Sequence, residues 1–137
     1  MKNKSKILIV DDVFINRDIL AEILSDEYDT VEAENGEEAL KVIQEYGDDL
    51  AVVLLDLMMP VKDGFYVLEH LKKQNYMDRV PVLVISGETS VESENKCLDF
   101  GVADFIHKPF DETIVRRRVM NIIDLYSYKN MLEDKVA

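Results

Sequence analysis

Short continuous apolar runs alternate along this chain with stretches in which apolar residues recur every three or four positions. Ile7–Val10, Ala51–Leu55 and Val80–Ile85 are each apolar throughout. Such runs predict strands covered on both faces, as in a parallel sheet. Pro81 falls near a strand start, where a missing N–H is tolerated. Thr30–Ala33 and Asp104–His107 are shorter and more polar, which suits the sheet edges. Between these runs, Ile15, Ile19 and Ile23, with Leu20 and Leu24, predict one apolar face on a helix from about Val13 to Leu24. Further helices are predicted over Glu37–Tyr46, Phe65–Asn75, Val91–Phe100 and from Asp111 onward, with turns at Asn35-Gly36 and Lys62-Asp63-Gly64. A β-then-α order repeated five times implies an α/β fold: a five-stranded parallel sheet, doubly wound, with right-handed crossovers.

In open sheets of this kind, ligands bind beyond the carboxyl ends of the strands. The residues expected there are Asp11 and Asp12 after the first strand, Asp56 after the third, Ser86-Gly87 after the fourth and Lys108-Pro109 after the fifth. Three carboxylates pushed together repel unless a cation joins them, and magnesium takes oxygen ligands of this type. Either Asp11 or Asp12 could instead cap the helix that follows. A carboxylate beside a bound cation can also attack phosphorus, with an ammonium and a hydroxyl stabilising the transferred group. Lys108 and Ser86 offer those two groups, and Gly87 is expected to let the backbone approach closely.

Composition narrows the classes. The 137 residues carry 16 basic and 28 acidic side chains, a net charge of −12. Residues 11–70 alone hold 17 acids against Arg17, Lys41 and Lys62. That balance opposes binding to nucleic acid or anionic membranes. A single cysteine, Cys97, excludes a disulfide framework and a multi-thiolate zinc site; it is read as a small packed residue. No apolar run reaches a membrane span, and Ile7–Val10 is too short for a secretory signal core. A cytoplasmic protein is expected. His70 and His107 lack companions at ligand spacing, and Arg116-Arg117-Arg118 reads as a solvated helix face.

The ordered set Asp11-Asp12, Leu54-Leu55-Asp56-Leu57-Met58-Met59-Pro60-Val61-Lys62-Asp63-Gly64, Ser86-Gly87 and Phe105-Ile106-His107-Lys108-Pro109-Phe110 resembles the receiver domain of two-component response regulators. The resemblance covers about residues 5–126 and implies the strand order 2-1-3-4-5. By its implication Asp56 accepts phosphate from a sensor histidine kinase or a phosphotransfer protein. Asp11, Asp12, Asp56 and the carbonyl of Met58 would hold Mg2+, and Lys108 would pair with the phosphoryl oxygens ahead of a cis Lys108-Pro109 bond. Ser86 and Phe105 would form the switch, with Phe105 standing where many relatives carry tyrosine. Met58 and Glu88 would tune the loss of phosphate by water. A magnesium-dependent phosphohydrolase with the same aspartyl intermediate is the alternative; such enzymes need an acid two residues after the nucleophile, where this chain has Met58. A receiver-like interaction module that never takes phosphate is the third reading.

The final helix continues beyond what five βα units need. Ile122, Leu125, Lys129, Leu132 and Val136 follow a three-four spacing, with Lys129 as a polar intruder. Residues 127–137 are therefore expected to be a helical extension, either a homodimer seam or the start of a coiled coil leading to an output module.

Overall fold

The computed structural model describes residues 5–87 and 90–136, with side chains described as far as residue 133. Strands β1 (Ser5–Val10), β2 (Tyr28–Ala33), β3 (Leu50–Asp56), β4 (Val82–Ser86) and β5 (Asp104–His107) alternate with helices α1 (Phe14–Leu24), α2 (Gly36–Tyr46), α3 (Gly64–Lys73), α4 (Val91–Phe100) and α5 (Glu112–Val136). All strand pairs are parallel, in the order β2-β1-β3-β4-β5. The two polar strands, β2 and β5, are the edges, as expected. Pro81 lies one residue ahead of β4, and its carbonyl accepts from the Val53 N–H at 3.0 Å.

Alternation along each strand sends side chains to opposite faces. Leu8, Val10, Val53, Leu55, Val82 and Val84 pack with Ile43, Val67, Leu68, Leu71 and Cys97 of α2, α3 and α4. Ile7, Ile9, Val52, Leu54, Leu83 and Ile85 pack with Leu20 and Leu24 of α1 and Val115 and Val119 of α5. This two-sided burial is why the central strands read as unbroken apolar runs. Asn35, Asp63 and Ser90 cap α2, α3 and α4 by accepting a backbone N–H three residues on. Cys97 is fully buried, and burial raises its thiol pKa. Among the described residues, no helix is long and apolar enough to cross a membrane.

Two helices depart from their predicted faces. On α1, Leu20 and Leu24 meet the sheet, whereas Ile15 is 62% exposed and Ile19 40%. Successive helix positions differ by 100°, so a stripe through 20 and 24 continues to residue 17 and leaves 15 and 19 to one side. On α5 the expected seam divides. Ile122 packs into the core beside α1, and Lys129 donates to the Asp78 carbonyl while Asn130 donates to that of Arg79 at 3.0 Å. Leu125, Tyr128, Met131 and Leu132 stay exposed. The side chain of Val136 lies outside the described residues. In the arginine triplet, Arg116 and Arg117 are exposed, as a solvated face requires, while Arg116 and Arg118 also make contacts. Arg116 bridges Glu112 at 2.7 Å and donates to the Ile23 carbonyl, and Arg118 donates to the Phe105 carbonyl.

Candidate functional site

The ends of β1, β3, β4 and β5 bring Asp11, Asp12, Asp56, Ser86 and Lys108 to one rim. Asp12, Asp56, Ser86 and Lys108 line a cleft of about 500 Å³, with Met58, Phe65 and Ser93 on its walls. Carboxylate oxygens of Asp11, Asp12 and Asp56 lie within 4.8 Å of one another. Asp11 and Asp56 are buried and Asp12 is exposed, so the cluster opens toward solvent on one side.

Asp11 does not cap α1. Its Oδ1 accepts the Val13 N–H at 2.9 Å, and α1 begins without a side-chain cap. Its Oδ2 is buried with no hydrogen-bond donor among the described residues, 3.6 Å from Lys108 Nζ. Asp56 Oδ1 accepts the Met58 N–H at 3.2 Å, and its Oδ2 lies 3.9 Å from the same ammonium. Both separations exceed hydrogen-bond range, so Lys108 offsets charge without fixing either carboxylate. Burial and the neighbouring Asp11 charge push the Asp56 carboxyl up to about 6, against the opposing pull of Lys108 and the Met58 N–H. One ammonium among three carboxylates leaves the pocket short of positive charge. Hard oxygen donors at this spacing, one of them buried and unpartnered, fit a magnesium ion.

The surrounding loops fix these groups. The Lys108 N–H donates to the Ser86 carbonyl at 2.9 Å, which locks the fourth and fifth strand ends together, and Lys108-Pro109 is cis. Ser86 Oγ is buried without a hydrogen-bond partner among the described residues. Gly64 donates to the Leu57 carbonyl at 2.9 Å and packs directly behind Asp56. Gly36 donates to the Lys62 carbonyl at 2.8 Å, bracing the loop after β3 from the neighbouring loop. In that loop Val61 adopts φ 71°, a left-handed conformation that costs a β-branched residue. Gly87 lines the cleft, and a Cβ there would meet only Lys108 Cδ at 3.8 Å among the protein's own atoms.

Met58 is 80% exposed beside the cleft. Phe105 is half-buried and packed on the core face shared with α2, α3 and α4. Glu88 lies outside the described residues. His70 bonds the Tyr66 carbonyl on α3 and His107 is exposed, so neither joins the cluster. The pattern reading overlooked Arg17, whose guanidinium reaches the Asp11 carbonyl at 2.7 Å.

The response regulator receiver domain family matches this chain over residues 7–120. The chain belongs to that family. As a receiver it is 36% identical over 121 residues to a probable transcriptional regulator ycf27 of Porphyridium aerugineum, covering 88% of this chain and 48% of that protein. The receiver domain of NtrX from Brucella abortus superposes with a TM-score of 0.77 at 33% identity, covering 86% of this chain and 98% of that one. The Vibrio cholerae chemotaxis protein CheY4 superposes with a TM-score of 0.79 at 28% identity, over 87% of this chain and 98% of that one. The receiver spans about half or less of the curated relatives it matches, down to 9% of a hybrid signal transduction histidine kinase D of Dictyostelium discoideum. It is a phosphoacceptor signalling switch of the two-component type. Receivers work with sensor histidine kinases or phosphotransfer proteins and generally bind Mg2+ at an acidic pocket, which the three clustered carboxylates here could supply.

Proposed function

We propose that Asp56 is the phosphoacceptor and that Asp11, Asp12, Asp56 and the Met58 carbonyl hold Mg2+ during transfer. The observation that carries this reading is the buried Oδ2 of Asp11, without a hydrogen-bond partner among the described residues, in a cluster of three carboxylates served by one ammonium. An Asp56 carboxylate oxygen attacks the phosphorus of a phosphohistidine. The new bond is O–P, the bond broken is N–P, and the imidazole leaves with the electron pair and takes up a proton. Lys108 is drawn from the carboxylates toward the incoming phosphoryl oxygens, and Ser86 Oγ, which has no other partner among the described residues, donates to one of them. When bound, the cation neutralises the carboxylates and the developing phosphoryl charge. Ser86 and Phe105 then bias the face formed by α4, β5 and α5 between two packings.

This chain acts as a regulatory domain of residues 5–126 and not as a turnover enzyme, in the cytoplasm, with its specificity in partner surfaces. Beyond residue 126 the last helix runs on to Val136. The exposed Leu125, Tyr128 and Leu132 supply an apolar stripe for a homodimer, which sedimentation with and without a phosphoryl mimic would reveal. Acetyl phosphate with Mg2+ should add one phosphoryl group, measured by intact mass, and chelation should prevent it. A protein that gains no mass under either condition would refute the phosphoacceptor reading.

Met58 bears on how long the signal lasts. Its exposed thioether cannot orient an attacking water, and the intrinsic loss of phosphate is correspondingly slow. Met58→Asn should speed that loss several-fold, read as the decay of the phosphorylated mass after acetyl phosphate is removed. An unchanged decay rate would show that water is positioned from elsewhere, Glu88 being the residue to vary next.

A further inference from the structure

We propose that Arg17 is a positioning residue for the cation-binding carboxylate of Asp11, a role that rests on the phosphoacceptor reading above. Every polar atom of Asp11 but one is held. Its N–H donates to the Ala33 carbonyl at 3.1 Å, its carbonyl accepts from Arg17 Nη1 at 2.7 Å, and its Oδ1 accepts from the Val13 N–H at 2.9 Å. Only Oδ2, 3.6 Å from the Lys108 ammonium, is left without a hydrogen-bond partner among the described residues. Of the three groups that fix this residue, two are backbone and Arg17 alone is a side chain. The position of Asp11 therefore depends on which residue stands at 17.

Arg17 is built into its place. It shares the inward stripe of α1 with Leu20 and Leu24, and its side chain is only 11% exposed. Its Nε donates to Glu32 Oε1 at 3.0 Å, and its guanidinium lies 5.6 Å from the centre of the Phe14 ring. Glu32 precedes Ala33 on β2, so two adjacent residues of that edge strand hold both sides of the Asp11 peptide. A buried guanidinium needs such pairing to be tolerated. Lysine cannot replace it, because donors leaving one rigid plane in two directions are required, and an ammonium on a flexible stem lacks them.

Partners one step removed from a metal commonly set its affinity by orienting the ligand. Arg17→Lys and Arg17→Gln should each weaken Mg2+ binding, measured by calorimetry, by about tenfold. Phosphorylation by acetyl phosphate should return toward the parent rate at saturating Mg2+, because no reacting atom has been removed. Glu32→Gln, which keeps an acceptor for Nε, should cost less. Tyr76→Phe is the control for simple destabilisation: it deletes the 2.6 Å bond from the Tyr76 hydroxyl to the Gly47 carbonyl at the far end of the sheet. It should lower the melting temperature and leave the Mg2+ affinity unchanged. Folded Arg17 variants that bind Mg2+ like the parent, or that lose no more affinity than Tyr76→Phe, would overturn the proposal alone. A parent protein that binds no Mg2+ would overturn the phosphoacceptor reading and this one with it.

Discussion

With Asp56 replaced by asparagine, the chain should take no phosphoryl group from acetyl phosphate, yet it should melt at a higher temperature than the parent when no divalent cation is present. The first effect follows because an amide is not a nucleophile toward phosphorus. The second follows from the charge balance of the pocket. Burial and the Asp11 carboxylate push the Asp56 carboxyl from 3.8 up to about 6. Between those values the folded protein holds a proton that the unfolded chain has released. Stability therefore falls as pH rises from about 4 to about 6, and the penalty is complete above that range. The full shift corresponds to about 3 kcal/mol at neutral pH, and solvent screening of this partly open pocket reduces the penalty to something on the order of 2 kcal/mol. Asp56→Asn removes it, which should raise the melting temperature by roughly 5 °C at pH 7.5 and by much less at pH 4.5. Scanning calorimetry in a chelating buffer at the two pH values is the check. A variant that melts below the parent at pH 7.5 would contradict the account. Mg2+ should stabilise the parent more than the variant, since a ligand stabilises only the state that binds it.

Gly64→Ala should disable the same site through the backbone. A Cβ at this position would stand 2.6 Å from the Asp56 carbonyl oxygen and 2.7 Å from Leu57 Cα. Both are main-chain atoms of the acceptor segment, so no side chain can swing aside to make room. Either α3 moves out or Asp56 moves. Overpacking of this kind costs about 1–3 kcal/mol. A displaced acceptor loses its alignment with the pocket, and the phosphorylation rate should drop by about tenfold or more. Gly87→Ala is the matched control, because its Cβ would make only an ordinary contact. Melting temperatures and the rate of mass gain for the two variants, measured side by side, decide the point. Equal behaviour of the two would mean that the close approach at Gly64 is not what holds Asp56.

The central strands were legible in the sequence because burial on both faces leaves no polar residue to interrupt β1, β3 or β4. The pocket was legible for a related reason: each of its groups follows a strand directly, and topology alone brings strand ends together. Arg17 was hidden because a basic residue in an acidic helix reads as surface, and because Ile15 and Ile19 drew the apolar stripe to the wrong side of α1. The α5 seam misled in another way. A three-four spacing records that a helix face is covered, and says nothing about whether a partner or the helix's own domain covers it. Here Ile122 and Lys129 face the domain and Leu125 and Leu132 face outward. Gly36 reads as a turn marker and Gly64 as a turn marker and part of the family motif, since no local pattern reveals which backbone will lie against them.

The clasp of Lys129 and Asn130 on the carbonyls of Asp78 and Arg79 reaches the segment that leads into β4. Those two bonds join the tail of α5 to the turn ahead of a central strand, at the end of the sheet remote from the acidic pocket. A helix end left in solvent frays in small, independent openings, and its amides exchange with water at little cost. Backbone amides over residues 122–130 should instead exchange only when β4 and its neighbours open as well. Helix tail and sheet then form one cooperative unit, and deuterium uptake along that stretch becomes a gauge of the whole domain's opening.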